Sequence, residues 1–305
     1  MPRAPSTADS ADGKAFLGRE DSSCERDALF PETQYGISKR IRIIEEWVYQ
    51  IKARTAKGRV AILDYGCGTG DYITFPLARS GNEVLGIDIH EPSILEARRR
   101  YALPNLSFRT GVIQDLLAER LSFDVIVCSE VLEHLHDALE FLTDVRRLLQ
   151  PGGGLIVTTP NGYGSFEMLR RLEWALSRIG IHQSLRWVFR KGHQLSRRAR
   201  GYVVPSHPSE RLSGEPGAGF LNHDSVHVQF FRLRSLEKLF STSGFRIIAR
   251  RARTFLCGPY VDTLFRLSPG RQALFRLNNR LADLLPFSWA ADWMFLLEPK
   301  EALHP

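Results

Sequence analysis

The hydrophobic pattern of the chain changes period several times, and each change marks an element. Ile37, Ile41, Ile44, Val48 and Ile51 recur at helical spacing, with Ser38 placed as an N-cap and Gly58 beyond the end. This predicts an amphipathic helix packed on the domain that follows, with core packing as its role. Short, nearly continuous apolar runs then appear at residues 60–63, 83–89, 106–110, 123–128 and 155–159. Runs of this length without alternation read as strands buried on both faces, as in parallel sheets. Helix-compatible stretches lie between them at residues 73–79 and 92–101, and a turn carries Asp115. Further on, residues 233–241 predict a helix, and residues 245–251 and 293–298 predict strands. Strands alternating with helices predict an α/β fold built on a doubly wound, mostly parallel sheet.

Composition narrows the class little. The 305 residues, 43% hydrophobic and 25% charged, suit a globular protein able to bury a large core. The net charge of +7 suits an acidic partner such as nucleic acid or an anionic membrane face, and equally a solvated basic surface. Cys24, Cys67, Cys128 and Cys257 form no CxxC pair or dense framework, which points to a reducing compartment. No secretory leader pattern is visible, and the longest apolar candidate for a span, residues 281–297, is broken by Asp283, Pro286 and Asp292. The expectation is a cytoplasmic protein with at most peripheral membrane contact. Residues 1–30, rich in Ser, Ala, Asp and Gly, predict a disordered tail, and residues 31–305 the folded domain.

The chemistry concentrates where strands end. The stretch VAILDYGCGTGDYITF passes from an apolar run through Asp64 into Gly66, Gly68 and Gly70. That is a strand, a tight loop and a helix start, a form in which backbone comes close to a ligand. Asp88 closes the second strand, 22 residues after Gly66, where a carboxylate can accept hydrogen bonds from ribose hydroxyls. Asp115 and Ser129 also follow predicted strand ends, so four separate segments should converge on one crevice outside the carboxyl edge of the sheet. Gly70 comes one position too early for the dinucleotide fingerprint, and Asp64 and Asp71 flank the loop, which favours a cationic ligand over a pyrophosphate.

These residues resemble the class I S-adenosylmethionine-dependent methyltransferases. The motifs are ILDYGCGTG, VLGIDI, FDVIVCSEVLEHL and LLQPGGGLIVTTPN, in family order over residues 35–161. The resemblance implies a Rossmann-like sheet with an antiparallel last strand, and S-adenosyl-L-methionine as cofactor. Gly66, Gly68 and Gly70 would back the sulfonium ligand, Asp64 would lie near its amino-acid part, and Asp88 would hold the ribose. Asp115 and the backbone near Ser129 would flank the adenine, although Val112 stands where many members have Asp.

On the acceptor side, a helix starting near Ser129 would bring Glu130, Glu133 and His134 to neighbouring positions one turn apart, facing the crevice. Two carboxylates and an imidazole suit a divalent cation. The E-x-x-E-H arrangement is similar to that of the ubiquinone-biosynthesis O-methyltransferases and of the enzymes that methylate the terminal 2′-hydroxyl of small RNAs. The same segment also occurs in relatives that need no metal, where it supports the cofactor pocket. His223 and His227, four apart beside Asp224, are candidates for a fourth ligand or a general base, with His134 as a further catalytic candidate.

Two insertions complete the chain, at about residues 162–220 and 255–288. Residues 165–200 hold nine Arg or Lys against Glu167 and Glu173. With Leu169, Leu172, Leu176 and Ile179 at helical spacing, they predict a basic amphipathic helix, read as a lid, a membrane contact or a charged outer face. The leading function is O-methylation of a small, lipid-like, phenolic or glycan-linked acceptor. RNA 2′-O-methylation is the alternative, weakened by the lack of a recognisable RNA-binding module or interleaved aromatics. A non-catalytic binding or assembly role is opposed by the intact Asp64, glycines and Asp88.

Overall fold

In the computed structural model, which describes residues 36–164, 227–257, 261, 264–265 and 268–300, every apolar run becomes a strand. These are β1 (Ala61–Tyr65), β2 (Glu83–Asp88), β3 (Leu106–Thr110), β4 (Phe123–Ser129), β5 (Leu149–Pro160), β6 (Phe245–Ala252) and β7 (Asp292–Pro299). They form one sheet in the order β3-β2-β1-β4-β5-β7-β6. The first five run parallel, and β7 lies antiparallel between β5 and β6. The Rossmann-like sheet with its reversed last strand is therefore present as expected. Strand order reverses beside β1, which pairs with β2 on one side and β4 on the other, and that reversal opens the crevice at the carboxyl edge. The 1–30 tail, the 165–200 basic helix and His223 with Asp224 lie outside the described residues.

Alternation along the central strands divides the core into two layers. Ile62, Val125, Val127, Ile156 and Met294 face α1 (Ile37–Thr55), whose Ile44, Trp47 and Ile51 complete that layer. Leu63, Ile126, Val157 and Phe295 face the other way, onto α5 (Ala138–Leu148) and α6 (Leu233–Thr242) through Phe141, Leu142, Leu236 and Phe240. The remaining described helices are α2 (Thr74–Arg79), α3 (Glu91–Arg100), α4 (Ile113–Ala118) and α7 (Arg271–Leu284). The Asp115 segment, expected as a turn, is thus the short helix α4. Among the described residues, no helix is long and apolar enough to cross a membrane.

The start of α1 departs from expectation. Gly36, not Ser38, occupies the N-cap, in the left-handed conformation at φ 59°. A side chain there would approach Thr254 Cγ2 to 2.8 Å. Close packing against the far end of the chain thus selects glycine, and Ser38 becomes an ordinary helical residue.

Candidate active site

The glycine loop is held by its neighbours on three sides. The Gly66 and Cys67 amides both donate to Ile87 O, at 2.8 and 3.0 Å, stapling the loop to the end of β2. Gly66, Gly68 and Gly70 all have positive φ. A Cβ on Gly66 would stand 2.6 Å from Val131, and one on Gly70 2.6 Å from Phe108, whereas one on Gly68 would meet nothing within 4 Å. Gly66 and Gly70 are therefore glycine for packing, and of the three only Gly68 faces open space. Gly70→Ala is expected to lower the thermal midpoint clearly, by about 2–4 kcal/mol of strain and overlap. Gly68→Ala should cost only about 1–2 kcal/mol of backbone strain. It should nonetheless weaken cofactor binding in calorimetry, because its methyl group enters the space a ligand would use.

Two carboxylates flank this loop. Asp88 accepts from the Gly68 amide and from the His90 amide, each at 2.8 Å, which fixes its orientation at the tip of β2. Asp64 is 2% exposed and accepts from Thr74 Oγ1 at 2.6 Å. Burial pushes its carboxyl up to about 6 against the opposing pull of the Thr74 hydrogen bond and the Arg40 charge. Asp115 behaves differently. Its Oδ2 accepts from the Val112 amide at 2.9 Å, so the carboxylate folds back to cap α4. Two apolar side chains instead stand in the open at these strand tips, Ile89, 73% exposed, and Val112.

Below the crevice runs a part-buried polar chain whose two arginines no motif announced. Arg40 Nη1 of α1 donates to Ser129 Oγ at 3.1 Å, and Ser129 Oγ pairs with Thr158 Oγ1 at 2.7 Å. Thr158 Oγ1 also lies 2.7 Å from Glu130 Oε1, which Arg253 Nη1 reaches at 3.3 Å. Arg253 Nη2 then bridges to Asp292 at 2.8 Å. Burial on its own would raise the Glu130 carboxyl, but Arg253 and Arg40 together hold it below its ordinary value. Arg40 Nε is buried without a partner. The expectation that α1 serves packing alone is corrected here, since it also delivers a guanidinium to the crevice. The signal was available: Arg40 lies three after Ile37 and four before Ile44, on the apolar stripe itself.

The E-x-x-E-H segment is not a helix from Ser129. Glu130 takes a left-handed φ of 58°, and a single 3-10 turn, Leu132–His134, follows. This reversal aims Glu130 at Arg253 and leaves Glu133 and His134 facing another group. His227 arrives from the segment before α6, its ring centroid 5.0 Å from that of His134 and inclined by 68°. Glu133, His134 and His227 each offer one ligating atom, all within 4.8 Å of one another. Glu133 is 1% exposed; Oε2 accepts from Thr159 Oγ1 at 3.2 Å, and Oε1 has no hydrogen-bond partner. Burial, and then the nearby Glu130 charge, raise its carboxyl well above the ordinary range. The structure thus groups His227 with Glu133 and His134, and pairs Glu130 with arginine instead.

Residues 37–250 match the profile of the Methyltransferase domain family. The chain belongs to this family. It is a class I S-adenosylmethionine-dependent methyltransferase. The chain is 35% identical over 185 residues to the ubiquinone biosynthesis O-methyltransferase of a Caulobacter species, covering 58% of this chain and 69% of that protein. It is also 38% identical over 116 residues to a probable S-adenosylmethionine-dependent methyltransferase of Mycolicibacterium smegmatis, covering 38% of this chain and 44% of the relative. Among solved structures, a SAM-dependent methyltransferase from Methanosarcina mazei superposes over 80% of this chain and 94% of its own, at TM-score 0.45 and 19% identity.

The methyltransferase thus has a crevice with two chemically distinct walls. One is built from the glycine loop, Asp64, Asp88 and Arg40, and offers fixed carboxylates and open backbone. The other, Glu133 with His134 and His227, offers imidazole nitrogens that can bind or exchange a proton. Beside it stand the exposed side chains of Val228 and Phe230, while the Tyr163 ring lies under the Arg232 guanidinium at 4.4 Å. The Phe230 ring centroid is 6.2 Å from that of His227.

Proposed function

We propose that this methyltransferase moves the methyl group of S-adenosylmethionine to a hydroxyl oxygen of a small, phenolic, lipid-like acceptor. The observation that carries the reading is the imidazole pair His134 and His227 beside the end of β4, bordered by exposed apolar side chains. An oxygen acceptor benefits from a base positioned for its proton. In the step, the acceptor oxygen forms a bond to the methyl carbon while the carbon–sulfur bond breaks. The electron pair stays on sulfur as S-adenosylhomocysteine departs, and the hydroxyl proton passes to an imidazole nitrogen. On the cofactor side, Asp88 would hold the ribose, Asp64 would face the amino-acid end, and Arg40 would meet its carboxylate. Ile89 and Val112 would enclose the adenine. The names of the Caulobacter relatives support an aromatic acceptor, and Phe230, exposed beside His227, suits a flat ring.

A divalent cation is a second reading, favoured by the unpartnered Glu133 Oε1. Glu133, His134 and His227 fit such an ion by donor type, while Glu130 is committed to Arg253. When bound, the ion would polarise the acceptor oxygen. One assay tests both readings: labelled methyl transfer to a catechol, a prenylated catechol, a short RNA and a glycan, with and without chelator. Transfer to the catechols is expected, with kcat lowered roughly 100-fold or more in His227→Ala and His134→Ala while cofactor affinity holds. Transfer only to RNA, or full activity in both histidine variants, would refute the acceptor-side assignment. Unchanged activity in chelator would remove the metal.

A further inference from the structure

The segment that delivers His227 is fastened to the 3-10 turn with unusual density. The Val228 and Gln229 amides both donate to Glu133 O, at 2.9 and 3.0 Å. The Gln229 side-chain Nε2 donates to Leu135 O at 2.6 Å and to His136 O at 3.1 Å. Phe231 O, in turn, accepts from the Gly162 amide at 3.1 Å after β5. A side chain on Gly162 would stand 2.7 Å from the Phe230 backbone, so the strap and the β5 extension are in direct contact.

One side chain thus satisfies the two carbonyls that leave the turn just after His134, and its own backbone satisfies the carbonyl just before it. The turn is too short to fix His134 by its own hydrogen bonds, since a single 3-10 turn has few. The strap carries no regular secondary structure of its own between His227 and Phe231. Each element is held by the other, and Gln229 is the side chain that joins them.

We infer that Gln229 is the positioning residue of the imidazole pair: it acts through His227 and His134 by holding their two backbones in register, and touches no reacting atom. The inference rests on the acceptor-side reading given above. Small displacements of a positioned group reduce rate steeply, by about 100-fold for roughly 1 Å. The requirement is for N–H donors, because the partners are both carbonyl oxygens.

The test uses the full chain, labelled cofactor and a catechol as acceptor probe. Gln229→Ala is expected to lower kcat about 10- to 100-fold with unchanged cofactor affinity in calorimetry. Gln229→Glu, of the same length but without the donors, should lose as much. Gln229→Lys, which restores a donor of sufficient reach at this half-buried site, should recover most of the rate. In a background that lacks both imidazoles, His134→Ala with His227→Ala, Gln229→Ala should add little further loss. If Glu rescues as well as Lys, or if the loss is equally large with and without the two imidazoles, the positioning role is overturned. If His227→Ala and His134→Ala are themselves fully active, the acceptor-side reading fails instead, whatever Gln229 does.

Discussion

Asp64→Asn is expected to stabilise the cofactor-free chain at pH 8 while weakening S-adenosylmethionine binding. The two effects share one cause. Asp64 is buried, and its carboxyl is pushed up to about 6 from 3.8, chiefly by desolvation. The folded state therefore holds a proton that the unfolded chain releases, so stability falls as pH rises from about 4 to 6 and stays reduced above that. A displacement of this size corresponds to about 1–3 kcal/mol, and Asn removes the charge while keeping an oxygen for Thr74. A bound cationic cofactor favours the ionised form, with Asp88 and Arg40 as the other charged groups acting on this site. Its affinity should accordingly weaken as pH drops from 7 to 5, and the neutral amide of the Asp64→Asn variant does not substitute for the charge. Calorimetry should find binding weakened about 10- to 100-fold in the variant. A dissociation constant flat from pH 5 to 7, or wild-type affinity in the Asn variant, would overturn the assignment.

Arg253→Met should be the most damaging single change to the fold among these substitutions. Arg253 is 4% exposed and is the shared partner of the buried Asp292 and of Glu130, whose side chain is 30% exposed. Removing it leaves two carboxylates in a region where burial already raises the Asp292 carboxyl. Breaking a buried pair in this way costs about 3–5 kcal/mol, or roughly 6–20 °C in the thermal midpoint. Adding Glu130→Gln and Asp292→Asn to Arg253→Met should recover part of the loss, because neither carboxylate is then left without its arginine, while Arg40 keeps Asp64 as a neighbouring opposite charge. Equal midpoints for the wild type and Arg253→Met would show that the chain of ion pairs does not support the fold.

The sheet was legible because each central strand is a short apolar run that suits a strand covered on both faces, as in the parallel β1, β4 and β5 and the antiparallel β7. The glycine-loop wall was legible for a related reason: glycines and acids at strand ends are read directly from spacing. Asp64, Gly68 and Asp88 lie together as expected, and Asp115 lies near but is occupied in capping α4. The wall of Glu133, His134 and His227 was harder. Helical spacing grouped Glu130 with Glu133 and His134, but the left-handed turn at Glu130 breaks that periodicity. Arg253, which engages Glu130 there, lies 123 positions away, and no local pattern reports so distant a partner. Gln229 was hidden likewise, because its function lies in carbonyls 93 and 94 residues earlier.

The first turn of α1 has a consequence for synthesis. Lys39 donates to Asn279 O and to Asp283, 240 and 244 residues later, and Gly36 packs against Thr254. The body of the helix, Ile44 to Ile51, can dock on β1 and β4 as soon as those strands emerge from the ribosome. Its N-terminal turn, which carries Arg40, gains its far anchors only after residue 283 has been made. A nascent chain could therefore pair β1 to β5 well before the first turn of α1 gains its far anchors, and the sheet itself closes only when β7, which stands between β5 and β6, emerges last.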